Sequence, residues 1–149
     1  MARIPLAVRE DVGDNEARLN ASEQTMGYLP NNMPIMAHCP ELLSTFSGLG
    51  GTTLNTGVVE AELKQLVAMV ASIAHGCNYC QAHTSHAAHY HGASHDKLSA
   101  VFDYETSALY TDREKVALRL AFHGALQPNQ VSDAEFEELG LHFNSREIV

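Results

Sequence analysis

Cationic residues are scarce in this sequence, and their scarcity excludes one large class of partner. The chain has nine Lys and Arg residues against 18 Asp and Glu residues, which gives a formal net charge of −9. Surfaces that bind nucleic acids need clustered Lys and Arg side chains to neutralise phosphates, and no basic patch or stripe stands out here. We therefore expect no nucleic acid among the partners of this protein.

Long apolar runs are also absent. No segment approaches the roughly 18 consecutive apolar residues that a membrane-spanning helix needs. The first ten residues, MARIPLAVRE, lack the apolar region of a secretory signal peptide. We therefore predict no membrane association and a cytoplasmic location.

Cysteine is limited to three residues, which is too few for the disulfide framework of a small secreted protein. Two of them, Cys77 and Cys80, form a Cys-x-x-Cys pair, which in a reducing compartment indicates redox or metal chemistry. Cys39, directly before Pro40, has no partner in the sequence. We predict that Cys39 is an inert, buried thiol.

Strand-like alternation of apolar and polar residues is missing, so the sequence predicts an all-α fold. Hydrophobic residues make up 45% and charged residues 18% of the 149 positions, as in globular proteins. This length suffices for one domain with its own core. We predict a single domain over residues 1–149, in which residues 1–12 form an extended N-terminal arm.

Capping residues and apolar periodicity delimit the predicted helices. Asp14 is a candidate N-cap for the first, and Thr111 and Ser132 each begin a capping box. The residue before a proline avoids helical geometry, so a boundary is expected at Cys39. The strongest helical period precedes His75, and Gly76 fits the left-handed position after a helix end. The predicted helices span residues 14–28, 35–49 (interrupted near residue 40), 58–74, 77–91, 94–101, 111–126 and 132–142.

The end of the chain resembles the start of a further helix, with Asn144 or Ser145 as its cap. A helix of so few residues is unstable by itself. We therefore expect either that this terminus frays or that the chain is a piece of a longer one.

The stretch Cys77-Asn78-Tyr79-Cys80 at the start of a predicted helix has the clearest chemistry. Its two thiols lie one turn apart on the same helical face, close enough to form a disulfide. The unpaired N–H groups of a first helical turn favour a thiolate over a thiol. His83 and His86 in the next turn add imidazoles for proton transfer. Two buried structural thiols are the alternative interpretation.

A metal site is a second alternative for this stretch. Cys77, Cys80, His83 and His86 match a Cys₂His₂ zinc set in composition. Four ligands along one rigid helix converge poorly, however, and zinc fingers place their ligand pairs on different elements. We therefore predict redox chemistry without a bound metal.

Two side chains are predicted to assist the thiols. His83 is our candidate general base or orienting donor for Cys80, because proton transfer requires hydrogen-bond reach. Glu62 is a weaker candidate, provided that it faces the cysteine helix. The alternatives are a surface histidine at position 83 and an ordinary solvated acid at position 62.

The segment Leu66 to Ala88, with its Gly-Cys-x-Tyr-Cys-x-Ala-His core, resembles the AhpD-like branch of the carboxymuconolactone decarboxylase-like family. Thr111 to Ala121 is similar to the family's Thr-x-x-Glu-x-x-Ala-Leu helix start, and residues 1–50 resemble the family more loosely. The resemblance implies an AhpD-like helical bundle that is completed by homo-oligomerisation. Family members usually have one more helix after the position of Val149, so a C-terminal helix is expected to be missing here.

The resemblance also implies a reaction and roles for both cysteines. Many members reduce hydroperoxides, with the second motif cysteine attacking the peroxide and the first resolving the sulfenic acid. On this chain Cys80 is then the nucleophile and Cys77 the resolving thiol. An external thiol or dithiol returns the pair to its reduced state, and no cofactor is required.

Two positions depart from the family pattern. The family's proton-relay glutamate, twelve residues before the first cysteine, is Gln65 here, and Glu62 stands one turn earlier. The family's catalytic histidine, four residues after the second cysteine, is Thr84 here, and His83 precedes it. These changes concern the proton relay and leave the thiol pair intact.

We therefore expect an oxidoreductase, a thiol-dependent peroxidase of the alkylhydroperoxidase type. Three alternatives remain. A general thiol–disulfide oxidoreductase would use the same cysteines. A decarboxylase of the carboxymuconolactone type would survive Cys→Ser changes. A non-enzymatic metal-binding or redox-sensing module would bind metal or change assembly without turnover.

Overall fold

Helices account for all the regular secondary structure in the computed structural model, which describes residues 3–149 except for the side chain of Asn55. The all-α prediction is thus confirmed for this part of the chain; Met1 and Ala2 of the predicted arm lie outside it. The α-helices are α1 (Glu16–Met26), α2 (Asn32–Met36), α3 (Pro40–Gly50), α4 (Ala61–Ala74), α5 (Asn78–Tyr90), α6 (His95–Ser99), α7 (Asp112–Ala125), α8 (Asp133–Gly140) and α9 (Ser145–Ile148). Shorter 3₁₀ segments span Arg9–Asp11, Gly13–Asn15 and Ala100–Asp103, and a π-helical turn spans Gly51–Asn55.

The chain divides into two compact units, Met1–Thr56 and Gly57–Val149. The first contains α1 to α3 around a small core formed by Val12, Leu19, Met33, Ala37 and Leu43. The predicted arm is only partly extended, because Arg9–Asp11 forms a 3₁₀ turn.

Three predictions for the first unit have different outcomes. The boundary at Cys39 is confirmed, because Cys39 is extended and Pro40 opens α3. The predicted cap at Asp14 is wrong: Asn15 holds the N-cap position of α1 and makes no side-chain capping bond. The prediction of a buried Cys39 thiol is also wrong, because Cys39 is exposed. Its extended position at the helix start presents the side chain to solvent.

The second unit is built on α4, whose apolar stripe is buried as its sequence period predicts. Leu66, Met69 and Val70 pack with Ala88 of α5 and Leu118 of α7 in the larger of two clusters. The smaller cluster joins the start of α4 to α7 and the last helices, through residues that include Leu63, Val116, Leu139 and Phe143.

A tight turn fixes the start of α5 against the end of α4. Gly76 has a positive φ of 73°, which confirms the predicted left-handed position. The backbone N–H of Cys77 donates to the carbonyl of Ser72 across 2.9 Å. The first turn of α5 is therefore held at one end of α4.

Capping residues start the later helices as predicted. Thr111, Ser132 and Asn144 each form a complete capping box with the glutamate three residues on. The helix predicted to end near residue 142 ends at Gly140. Arg113 ties the last turn to the rest of the unit through ion pairs with Glu60 and Glu147, at 2.8 and 3.0 Å.

No helix in the described part of the chain combines the length and the apolar character needed to cross a membrane.

Candidate active site

The cysteine pair lies at the N-terminus of α5. Cys77 is the N-cap residue and Cys80 lies in the first turn, with 5.3 Å between their Cα atoms. The two side chains form a disulfide, so the predicted closeness of the thiols is confirmed. Both residues are partly exposed. A small molecule from solvent can therefore contact the pair.

A backbone hydrogen bond distinguishes the two sulfurs. The backbone N–H of Cys80 donates to Sγ of Cys77 across 3.2 Å, so this sulfur acts as the cap of the helix. N–H groups in a first helical turn carry partial positive charge and stabilise a negative capping atom. On reduction, this contact favours the thiolate form of Cys77.

His83 follows one turn after Cys80 and is partly buried. Burial first, and then the neighbouring His86, lower the pKa of His83 below its ordinary value. Its ring lies 6.2 Å from the ring of Tyr79, with 20° between the planes. A neutral imidazole at this position is able to accept a proton at neutral pH.

Thr84, at the position of the family's histidine, has a structural contact instead. Its hydroxyl donates to the carbonyl of Cys80 across 2.7 Å, and the residue is buried. A threonine hydroxyl often bonds to the preceding turn in this way. Gln65, at the position of the family's glutamate, is also buried. Neither side chain is a base at neutral pH.

Glu62 lies at the opposite end of α5 from the cysteines. Its carboxylate is near Gly92, where an added Cβ would lie 3.5 Å from Oε2. Ten residues of helix separate Cys80 from Tyr90, a rise of about 15 Å. The structure therefore does not bring Glu62 to the thiols.

Lys97 is the partner of Glu62. Its Nζ lies 2.8 Å from Glu62 and 2.6 Å from Glu114, and all three side chains are partly buried. Burial lowers the pKa of Lys97, but the hydrogen bonds to Glu114 and Glu62 outweigh burial and raise the pKa above its ordinary value. This cluster links α4, α6 and α7, so its role is structural.

Metal-ligating side chains do not converge in this region. Among residues 3–149, no group of three or more His, Cys, Asp or Glu side chains is placed to hold a metal ion. The Cys₂His₂ alternative for Cys77, Cys80, His83 and His86 thus finds no support in the geometry.

Two contacts at the site were not predicted from the sequence. The carbonyl of Ser72 fixes the N–H of Cys77, and the exposed ring of Tyr79 contacts His83. The spacing of Tyr79 and His83, four residues apart on one helix, was a signal for their contact. The hydrogen bond from the Cys77 N–H to the Ser72 carbonyl involves backbone atoms only, so no side chain in the sequence indicated it.

This chain is similar to a protein family and to several known proteins. The model of the carboxymuconolactone decarboxylase family matches residues 40–122. The fold is similar to a structure of the debrominase Bmp8, with a TM-score of 0.89 and 31% identity, over 98% of this chain and 78% of that one. A cysteine-to-alanine variant of Bmp8 in complex with 2,3,4-tribromopyrrole matches equally well, with 30% identity and the same coverage and TM-score.

Two other similarities are more limited. An uncharacterised peroxidase-related protein from Silicibacter sp. TM1040 shares the fold at a TM-score of 0.78 and 20% identity, over 99% of this chain and 82% of that one. The uncharacterised protein YnjA of Escherichia coli (strain K12) is 35% identical over 72 residues. That match spans 48% of this chain and 40% of YnjA.

Proposed function

This chain belongs to the carboxymuconolactone decarboxylase family, and from that premise we propose that it is a thiol-dependent reductase that acts on hydroperoxides through Cys77 and Cys80. The observation that carries the proposal is the disulfide between two partly exposed cysteines at the start of α5. A dithiol in such a position donates two electrons to an electrophile and closes to a disulfide.

The proposed reaction has two steps. The thiolate of Cys80 attacks the terminal oxygen of the hydroperoxide, which breaks the O–O bond, releases an alcohol after protonation and leaves a sulfenic acid on Cys80. The thiolate of Cys77 then attacks the Cys80 sulfur, and water leaves as the disulfide forms. Two thiols and one hydroperoxide thus give one disulfide, one alcohol and one water.

His83 is proposed to move the proton in the first step. It lies one turn from Cys80, and its pKa is lowered by burial and by His86, so it is neutral at pH 7 and accepts the thiol proton. Glu62 has no part in this step, because it binds Lys97 at the other end of the helix.

Return of the disulfide to the dithiol requires an external thiol or dithiol. In thiol–disulfide exchange the better stabilised thiolate leaves more readily. Because the N–H of Cys80 bonds to the sulfur of Cys77, Cys77 is the better leaving group. The reductant therefore forms its mixed disulfide on Cys80.

A second candidate substrate is a brominated aromatic ring. The specific observation is the likeness to the debrominase Bmp8, which covers 98% of this chain at 31% identity. The same dithiol has the electrons for this reaction: a thiolate takes bromine from the ring carbon, the ring carbon gains a proton, and the second thiolate displaces bromide as the disulfide forms. One C–Br bond is exchanged for one C–H bond per disulfide.

A substrate panel tests both candidates. Wild type, Cys77→Ser and Cys80→Ser proteins are incubated with a dithiol reductant and either cumene hydroperoxide or 2,3,4-tribromopyrrole, with Cys39→Ser as the matched control. The proposal predicts catalytic turnover of hydroperoxide with wild type and Cys39→Ser only. In Cys77→Ser protein without reductant, one equivalent of hydroperoxide should be consumed and should leave a sulfenic acid on Cys80. Debromination without hydroperoxide loss would select the second candidate.

Adding a model disulfide and a carboxymuconolactone to the panel separates the remaining alternatives. A general thiol–disulfide oxidoreductase would reduce a model disulfide rapidly while consuming hydroperoxide at the background rate. A decarboxylase would retain its activity in both Cys77→Ser and Cys80→Ser proteins. A redox-sensing module would oxidise once without turnover.

We also propose that copies of this chain associate in the cytoplasm. In support, Leu42, Phe46 and Leu49 form an apolar stripe at helical spacing along α3, and all three are exposed in a single chain. Light scattering during gel filtration tests this, with Phe46→Ser expected to lower the measured mass. A monomeric wild-type protein would refute it.

A further inference from the structure

Tyr79 lies between the two cysteines in the sequence and directly precedes Cys80 on α5. Its side chain is 54% exposed, although it lies next to the partly buried cysteine pair. Its ring is nearly parallel to that of His83, with 20° between the planes and 6.2 Å between the ring centres. This separation is within the range of interacting aromatic pairs. The ring of Tyr79 is thus accessible to solvent and in contact with the ring of His83.

Helical geometry places Tyr79 on one side of the reactive sulfur. Each residue of an α-helix advances by about 100°, so His83 lies about 60° and Tyr79 about 100° from Cys80 in the same direction. Cys77 lies about 60° away in the opposite direction. A molecule that approaches Cys80 from the side opposite to Cys77 therefore meets the rings of Tyr79 and His83.

We propose that Tyr79 is a specificity-determining residue: its ring, supported by His83, favours electrophiles that carry a flat aromatic group over aliphatic ones. The inference rests on the proposed function, because it specifies the substrate class of the same cysteine pair. Flat aromatic groups gain contact with an exposed ring in offset or edge-on arrangements, in addition to the surface that they bury. An aliphatic group of similar size lacks this contribution.

The chain offers a matched control on the same helix. Tyr90 is similarly exposed, at 59%, but lies ten residues after Cys80, about 15 Å along the axis of α5. A change at Tyr90 therefore alters the same kind of side chain in the same helix without altering the surroundings of the thiol. Tyr79→Phe retains the aromatic ring, whereas Tyr79→Leu removes it and keeps an apolar side chain.

The test uses two maleimides that differ in one substituent. Rates of alkylation by N-phenylmaleimide and N-ethylmaleimide are measured on protein with Cys39→Ser and Cys77→Ser, in which Cys80 is the only remaining thiol. Serine is a good N-cap residue, so the Cys77→Ser change retains a cap for α5. Circular dichroism confirms that each variant is folded before rates are compared.

The quantity compared is the ratio of the phenyl rate to the ethyl rate. Tyr79→Leu is expected to lower this ratio about 3- to 10-fold, which is the range of an aromatic contact, whereas Tyr79→Phe and Tyr90→Leu retain it. An unchanged ratio in Tyr79→Leu would overturn the inference. So would an equal fall in Tyr90→Leu, because the effect would then be unrelated to proximity.

Failure of the proposed function is distinguishable from failure of this inference. Alkylation needs no hydroperoxide turnover, so a protein that consumes no hydroperoxide but loses its phenyl preference in Tyr79→Leu refutes only the proposed function. If the protein is a peroxidase, the same substitution should lower kcat/KM for cumene hydroperoxide relative to tert-butyl hydroperoxide. Peroxidase activity with an unchanged ratio in both assays refutes only the role of Tyr79.

Discussion

In the disulfide form of the pair, the backbone N–H of Cys80 donates a hydrogen bond to Sγ of Cys77 across 3.2 Å. Cys80, the attacking residue of the proposed reaction, donates this hydrogen bond, and Cys77, the resolving residue, accepts it. This bond activates Cys77 for the second step and stabilises it as a leaving group in the reductive step.

The first prediction concerns the relative reactivity of the two thiols. In Cys80→Ser protein, Cys77 retains the backbone donor at position 80, whereas Cys80 in Cys77→Ser protein has no such bond in the structure described. We expect iodoacetamide to alkylate Cys77 several-fold faster than Cys80 at pH 6, where the thiolate fraction limits the rate. Both measurements are made with Cys39→Ser. Equal rates at pH 6 would show that the hydrogen bond does not activate Cys77.

The second prediction concerns pH and the imidazoles of His83 and His86. Because burial and His86 lower the pKa of His83, the neutral base is present above that lowered pKa and is lost as pH falls through it. The first-step rate, measured in Cys77→Ser protein, should therefore persist to below pH 6.5 before it falls. His86→Gln removes the repulsion, which raises the pKa of His83 and moves the fall to higher pH.

The control for this pH profile is His83→Gln. It should remove the inflection and slow the first step about 100-fold or more, as expected for loss of one general base. A profile that is identical in wild type and His83→Gln would exclude His83 from the mechanism.

The third prediction separates stability from chemistry at Glu62. Glu62→Gln removes one of the two carboxylates that bind Lys97, and we expect the free energy of unfolding to fall by about 1 kcal/mol in urea titrations. The alkylation rate of Cys80 should be unchanged, because the carboxylate lies at the other end of α5. A loss of thiol reactivity without a loss of stability would instead support the catalytic role that the sequence indicated.

The fourth prediction concerns Thr84. Its hydroxyl bonds to the carbonyl of Cys80 within the helix, so Thr84→Val should retain turnover within about 2-fold and change stability by about 1 kcal/mol or less. Steady-state kinetics and thermal unfolding check these two values. A large loss of turnover would mean that the hydroxyl takes part in proton transfer.

Local signals explain what could be predicted from the sequence. The boundary at Pro40, the capping boxes at Thr111 and Ser132, and the glycine turn at Gly76 depend on residues a few positions apart, and the structure confirms them. The closeness of the two thiols has the same origin, because a spacing of three residues in one helical turn suffices to specify it.

Contacts between residues that are far apart in the sequence could not be predicted from local patterns. The partner of Glu62 is Lys97, 35 residues later, and only the packing of α4, α6 and α7 brings them together. The exposure of Cys39 likewise depends on how the first unit packs around α3. Side-chain periodicity carries no information on such pairs, so the proton relay was the least predictable part of the site.

If Cys77 and Cys80 act together as a two-electron reductant, oxidation by one hydroperoxide must remove two thiols, and a thiol count measures this. Fully reduced protein has three thiols, and one equivalent of cumene hydroperoxide is added before the remaining thiols are titrated and the peptides mapped. We expect that one thiol remains, that of Cys39, and that Cys77 is joined to Cys80. Two results would contradict a joint role of Cys77 and Cys80. One is that all three thiols remain under conditions that oxidise free cysteine, and the other is that Cys80→Ser protein loses as many thiols as wild type.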